Sequence, residues 1–283
     1  MSQYIIKFAV ISIIVVAMLG ARVPQAEARG KSHPGLKSRV ALVIDEVSGD
    51  VIYEKSASES APIASITKLM TAMVLIDSGL PLLESITITK ADIDRYKGSK
   101  SKLRTGTTLR RAEALKLALM ASENRAAAAL SRVFPGGKEA FVRDMNRKAQ
   151  TLGMMQSKFV DSTGLRPGNV ASAYDLVKLV EAALQYPLIR EYTTTRTFDL
   201  RAKRGRRSVK LRYVNSNRLA RNSRWNIGLS KTGYISESGR CLVMQVEVVN
   251  KPVIMVFMDS WGKLTSLGDA GRTRRWMERR ASK

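Results

Sequence analysis

Strand-like segments stand at both ends of the chain and helix-like segments fill its middle, and this order constrains the fold more than any other feature. Residues 39–44 and 51–54 are apolar-rich runs around Ser48-Gly49-Asp50, a hairpin signal. Far downstream, residues 226–235, 241–249 and 253–259 read as three more strands joined by short turns, one of them at Asn250-Lys251-Pro252. For one sheet to form, the N- and C-terminal strands must pair. The pattern predicts an α+β or two-layer fold, with an antiparallel sheet of N- and C-terminal strands and a central helical subdomain.

The middle carries helical periodicity. From Ser65, Leu69, Ala72, Met73 and Ile76 recur at 3.6-residue spacing until Gly79. Leu109, Ala112, Leu115 and Leu119 mark one later face, and Phe141, Met145, Ala149 and Leu152 another. Ser172 to Asp175 resembles a capping box opening the run Leu176, Leu179, Val180, Ala183. Residues 198–214 predict a basic hairpin, and 272–280 a closing helix. Neither an internal repeat nor a low-complexity linker interrupts residues 29–283, which read as one domain.

Two scarcities limit the chemistry. The sole histidine is His33, in a Gly/Ser/Pro/Lys-rich leader, and the sole cysteine is Cys241. A Ser-His-Asp triad needs a histidine in the core of the fold. A catalytic zinc needs two or three His or Cys ligands. The sequence therefore predicts chemistry without imidazole, metal or cofactor, and an internal disulfide is impossible. Cys241 reads as a small buried strand residue.

Residues 1–28 read as a secretory signal peptide. Lys7 supplies the positive n-region, residues 8–19 the apolar run, and Ala26-Glu27-Ala28 the small-x-small cleavage pattern. The apolar run is shorter than the roughly 20 residues of a membrane span. Export to the periplasm is the expected address.

Three short motifs occur in order. Ser65-Ile66-Thr67-Lys68 begins the first helix, and i,i+3 spacing puts the Lys68 amine on the face of the Ser65 hydroxyl. A neutral amine there accepts the serine proton once burial and neighbouring positive charge lower its pKa. Ser122-Glu123-Asn124 interrupts two helical patterns. Ser122 is placed to relay a proton and Asn124 to hold a substrate amide or the base; a plain helix cap is the alternative. Lys231-Thr232-Gly233 lies on a predicted strand, where lysine and threonine grip a carboxylate and glycine leaves room for substrate backbone. An ordinary strand with a bulge glycine is the alternative there. Ser99-Lys102 and Ser260-Lys263 repeat the first spacing and Arg104-Thr105-Gly106 the third; these read as solvated loop residues. Together, in this order and context, the trio matches that of penicillin-binding proteins and serine β-lactamases, with lysine replacing imidazole as base.

From about residue 41 to 276 the sequence resembles the low-molecular-mass penicillin-binding proteins, the D-alanyl-D-alanine peptidases of serine peptidase family S11. The segments Ala61-Pro62-Ile63-Ala64-Ser65-Ile66-Thr67-Lys68 and Asp161-Ser162-Thr163-Gly164-Leu165 carry the likeness. Residues 122–127 and 225–244 are similar to the family's endopeptidase branch. The resemblance implies a β-lactamase/D,D-peptidase-like fold. It implies that Ser65 forms the acyl-enzyme, Lys68 is the general base and Ser122 passes protons to the leaving group. Asn124 positions Lys68 and the substrate amide, and Lys231 and Thr232 bind the carboxylate beside the scissile bond. Backbone N–H groups of Ser65 and Tyr234 form the oxyanion hole. The implied partners are peptidoglycan stem peptides and crosslinks, with β-lactams as covalent inhibitors.

The chain carries a net charge of +24, and Arg201, Lys203, Arg204, Arg206, Arg207, Lys210 and Arg212 make residues 198–214 more basic than the family pattern. Contact with acidic peptidoglycan or other anionic envelope polymers is one reading; a merely solvated hairpin is the other. No aromatic-interleaved basic motif points to nucleic acid. Two further functions compete with a D,D-peptidase. One is a non-catalytic wall-binding module. The other is a serine β-lactamase, for which Glu181-Ala182-Ala183-Leu184-Gln185 looks like a deacylation loop; its spacing instead continues the preceding helix and makes Glu181 an exposed helix residue.

Overall fold

A computed structural model of the protein describes residues 33–282; the signal-peptide reading of 1–28 lies outside them. The chain opens with the hairpin β1 (Val40–Asp45) and β2 (Val51–Lys55). The short β3 (Ala61–Pro62) leads through one 3-10 turn, Ala64–Ile66, into α1 (Thr67–Asp77). Next come β4 (Ser85–Thr87), β5 (Thr107–Arg110), α2 (Arg111–Met120), α3 (Asn124–Arg132) and α4 (Gly137–Thr151). They are followed by β6 (Val170–Ala171), α5 (Ala173–Leu184) and α6 (Pro187–Thr194). The last third holds β7 (Thr197–Arg204), β8 (Arg207–Val214), β9 (Ile227–Ile235), β10 (Gly239–Val248), β11 (Lys251–Ser260) and α7 (Thr265–Ala281).

The N- and C-terminal strands do pair. The main sheet runs β2-β1-β11-β10-β9, antiparallel throughout, with Val40 opposite Met258 and Asp45 opposite Val253. Helical elements cover it on both faces, the α+β arrangement of the two expected. Val40, Leu42, Val243, Ile254 and Val256 join the core formed with the central helices. Ala41, Val43, Leu242, Met244 and Phe257 pack instead with Ala270 of α7. Both faces are covered, so these strands read as continuous apolar runs rather than alternating ones.

Local readings shift for identifiable reasons. The β10–β11 turn is Val249-Asn250, both at positive φ, as a tight two-residue hairpin requires, and Lys251 and Pro252 already belong to β11. Leu109 lies in β5 rather than on the helix that follows. Helix α1 is buried all round from Thr67 to Leu75, so it is a core helix and not an amphipathic surface one. Helix α7 starts before residue 272 because its buried face is Ser266, Asp269, Ala270, Thr273 and Trp276, small and polar groups that hydropathy misses. Asp269 there accepts the backbone N–H groups of Lys37 and Ser38. The Ser172 cap is as expected, its hydroxyl accepting the Asp175 N–H. The hairpin of β7 and β8 joins β5 and β4 in a second sheet of order β4-β5-β7-β8. His33 is not a free leader residue: its Nε2 is 2.9 Å from the Tyr53 hydroxyl.

Strand β9 forms the edge of the main sheet, and the turn before α1 is pressed against it. A Cβ on Gly233 would sit 3.0 Å from the Ser65 nitrogen and 2.9 Å from the Ile63 carbonyl oxygen. From the other side, a Cβ on Gly164 would meet the Ala64 carbonyl oxygen at 1.9 Å, and Gly164 has φ of 78°. Two glycines thus clamp the Ala64–Ser65 peptide. Gly164→Ala is expected to destabilise the fold by roughly 2–5 kcal/mol, combining backbone strain with overpacking. Urea unfolding checks this, and an unchanged midpoint would show that the clamp is not tight.

Candidate active site

Ser65 sits in the 3-10 turn that precedes α1, after Ala64, which is held at φ of 47°. A non-glycine residue in that region is strained and persists only where its surroundings fix it. One turn on, Lys68 is 0% exposed. Its Nζ lies 2.7 Å from Ser65 Oγ, 2.7 Å from Asn124 Oδ1 and 2.5 Å from the Thr163 carbonyl oxygen. The last two partners are acceptors only. A neutral amine donates its two N–H bonds to them and turns its lone pair to the one remaining partner that carries a proton, the Ser65 hydroxyl.

Burial makes that neutral form accessible. Desolvation lowers the Lys68 pKa to about 7, against the opposing pull of Asp161 and Glu123. Burial would raise Asp161, but hydrogen bonds from the Thr163 side chain and from the backbone of Thr163, Arg166 and Gly164 outweigh it and hold its carboxyl below the usual range. The same bonds fold the loop that presents the Thr163 carbonyl to Lys68.

Ser122 and Asn124 flank the junction of α2 and α3. Glu123 caps α3 by accepting the Arg125 N–H, which leaves its two neighbours free to face the cleft. Ser122 takes φ of 58°. Its Oγ accepts from Lys231 Nζ at 2.9 Å, so this serine joins the strand lysine rather than Lys68. Asn124 holds Lys68 through Oδ1 and donates through Nδ2 to Ser99 Oγ at 2.9 Å.

The third motif lies on β9 as expected. Lys231 is 1% exposed, and its pKa is lowered well below the ordinary lysine value by burial and by the Lys68 charge. It also donates to the Thr232 carbonyl at 2.9 Å, while Thr232 Oγ1 donates to Ser216 Oγ at 2.8 Å. Gly233 departs from its expected purpose: the space its missing side chain leaves is filled by Ile63, Ala64 and Ser65, not open to a ligand. Tyr234 is 56% exposed, with the Arg240 guanidinium 4.4 Å from its ring centroid. A cleft of ≈ 610 Å³ follows this edge and touches Ser65, Ser122, Asn124, Thr232, Gly233 and Tyr234.

Several partners escaped the sequence motifs. Ser99 lines the cleft and holds Asn124, although its S-x-x-K spacing marked it as a solvated loop residue. Ser260 is buried, bonded to Ser38, and Lys263 lines the cleft. Thr163 acts through its backbone oxygen, which no side-chain pattern signals; the only hint was the Asp-Ser-Thr-Gly turn. Glu181 is an exposed residue of α5 and does not line the cleft. Cys241 is buried, its thiol pushed up to about 11 by desolvation. Among the described residues, no group of three or more His, Cys, Asp and Glu side chains is placed to hold a metal ion.

Known proteins resemble this chain along most of its length. The peptidase S11 family model, described as D-alanyl-D-alanine carboxypeptidase, matches residues 27–262. A D-alanyl-D-alanine endopeptidase of Pseudomonas aeruginosa is 46% identical over 245 residues, 86% of this chain and 78% of that protein. A D-alanyl-D-alanine endopeptidase of Escherichia coli is 44% identical over 253 residues, 89% and 81% respectively. The crystal structure of the Streptomyces K15 DD-transpeptidase superposes with a TM-score of 0.80 at 24% identity, covering 87% of this chain and 98% of that one; at that identity the likeness establishes a shared fold. The chain belongs to the S11 family of serine D-alanyl-D-alanine peptidases.

Proposed function

We propose that the protein is an exported endopeptidase that cuts D-alanyl–diaminopimelate crosslinks of peptidoglycan in the periplasm through an acyl-enzyme on Ser65. The observation that carries this reading is the buried Lys68 amine, whose acceptor-only partners leave its lone pair to Ser65. Ser65 Oγ attacks the D-alanyl carbonyl while its proton passes to Lys68 Nζ. The backbone N–H groups of Ser65 and Tyr234 hold the oxyanion. The proton taken up by Lys68 passes through Ser122, which is bonded to Lys231, to the departing amine, and Lys68, neutral again, serves the water that hydrolyses the ester. Lys231 and Thr232 grip the carboxylate beside the scissile bond, Asn124 keeps Lys68 in place, and Gly233 lets β9 lie against the nucleophile. A bound carboxylate favours charged Lys231, and that charge in turn favours neutral Lys68. Trimming of pentapeptides as a D-alanyl-D-alanine carboxypeptidase uses the same steps; the names of the two relatives favour crosslinks. β-Lactams acylate the same serine.

The basic hairpin supports a second contact. Alternation turns Leu200, Ala202 and Tyr213 into the core, while Arg201, Lys203, Lys210 and Arg212 are exposed. Arg201 lies directly opposite Lys210, a like-charge pairing that destabilises a sheet, and among the described residues the ion pair here is that of Lys210 with Asp199, at 3.6 Å. A polyanion such as carboxylate-rich peptidoglycan relieves that repulsion.

Ser65→Ala is expected to abolish labelling by a fluorescent penicillin. It should also cut hydrolysis of crosslinked dimers and pentapeptides by at least about 10³-fold, with circular dichroism unchanged; retained hydrolysis would defeat the assignment. Since the base acts neutral, kcat/KM should rise with pH on an acid limb centred near 7, whereas a profile flat through that range would mean Lys68 is not the base. Replacing Arg201, Lys203, Lys210 and Arg212 with Gln should reduce pull-down on purified sacculi at low salt and flatten its salt dependence. Unchanged low-salt binding would remove the hairpin from the reading.

A further inference from the structure

The cleft continues beyond the catalytic groups, and its direction follows from the proposed function, on which this inference rests. The leaving residue's carboxylate lies at Lys231 and Thr232, and the scissile carbonyl at the N–H groups of Ser65 and Tyr234. Moving along β9 from Thr232 to Tyr234 therefore passes from the leaving residue to the acyl residue. The part of the substrate that precedes the scissile bond runs on past Tyr234, toward the β9–β10 turn.

That end of the cleft is lined by three cations, Lys97, Arg240 and Lys263. Lys97 is taken: its Nζ is 2.5 Å from Glu237 Oε1 in the turn. Arg240 and Lys263 have no acidic partner among the described residues. Arg240 is directly opposite Tyr234 in the β9–β10 register, half-buried, and stacked on the tyrosine ring at 4.4 Å. Stacking fixes the plane of a guanidinium while leaving its N–H fork for a planar, bidentate anion. Lys263, exposed just before α7, adds a point charge to the cleft lining.

We infer that Arg240, assisted by Lys263, is a specificity-determining residue that binds a free carboxylate of the stem peptide on the acyl side of the scissile bond. The preferred substrates are then stems bearing an acidic group one or two residues before the cleaved D-alanyl carbonyl. A diaminopimelate residue supplies one such group on its side chain, and lysine at the same position lacks it. A γ-linked D-glutamate supplies another.

The test uses the full-length mature enzyme and three synthetic peptides ending in D-Ala-D-Ala. One is L-Ala-γ-D-Glu-diaminopimelate-D-Ala-D-Ala; the second has lysine for diaminopimelate; the third has the α-carboxylate of D-glutamate amidated. Wild-type enzyme should lose about tenfold in kcat/KM on removal of at least one of the two carboxylates, the scale of a charge-assisted hydrogen bond, and the peptide affected identifies which. In Arg240→Gln that discrimination should collapse to about onefold, with Arg240→Lys retaining part of it and the rate of Ser65 acylation by penicillin reporting an intact fold. Equal kcat/KM for all three peptides in the wild type, or a preference that survives Arg240→Gln, overturns the inference while leaving Ser65-dependent hydrolysis standing. Hydrolysis that persists in Ser65→Ala would instead bring down the reading on which it rests.

Discussion

A lysine amine held out of water against a serine hydroxyl is the constraint around which this molecule is built. Burying an ammonium without full compensation is costly, and the protein responds in two ways. It gives Lys68 three hydrogen-bonding partners, and it shifts the group toward neutrality, to a pKa of about 7. Each response imposes conditions elsewhere. Helix α1 must be enclosed on every side, the 161–169 loop must offer a carbonyl, and the α2–α3 junction must offer an amide oxygen.

Those conditions explain why the strained and crowded backbone lies where it does. Ala64 and Ser122 occupy left-handed conformations beside Ser65 and Lys231, and Gly164 and Gly233 allow two backbone segments to close on the Ser65 turn. The second buried lysine, Lys231, sits across the cleft on the sheet edge, bonded to Ser122. Two buried amines so near each other resist being charged together, so an anion arriving at one alters the protonation of the other. In the proposed mechanism this couples substrate binding to base activation through electrostatics. Beyond them, the Lys97–Glu237 ion pair links the loop near Ser99 to the β9–β10 turn beside the cleft.

Much of this was legible in the sequence because it depends on short spacings. Ser65 and Lys68 are one helical turn apart, and Lys231, Thr232 and Gly233 are consecutive on a strand, so local geometry fixes what each can do together. The outer strands were legible as apolar runs. Ser99 was misread because an S-x-x-K spacing in a polar loop carries no information about which distant side chain folds onto it. Thr163 was missed because its working atom belongs to the backbone. The short strands β4 and β5 escaped because a single buried Ile86 in β4 sets no period and Leu109 of β5 also fits the spacing of the helix after it, and the start of α7 because its inner face holds Asp269 and Thr273 rather than aliphatic groups.

The sequence by itself determined the inventory of side chains: no histidine in the core, a lysine one helical turn after a serine, and strands at the two ends that had to meet. Tertiary structure alone decided that Lys68 is dry, that Gly233 accommodates the protein's own backbone, that Ser122 answers to Lys231, and that the sheet is covered on both faces. The division has a physical cause. Periodicity and spacing are set by bonds between neighbouring residues, whereas desolvation, close approach and pKa depend on everything that packs around a group, most of which is remote in the chain.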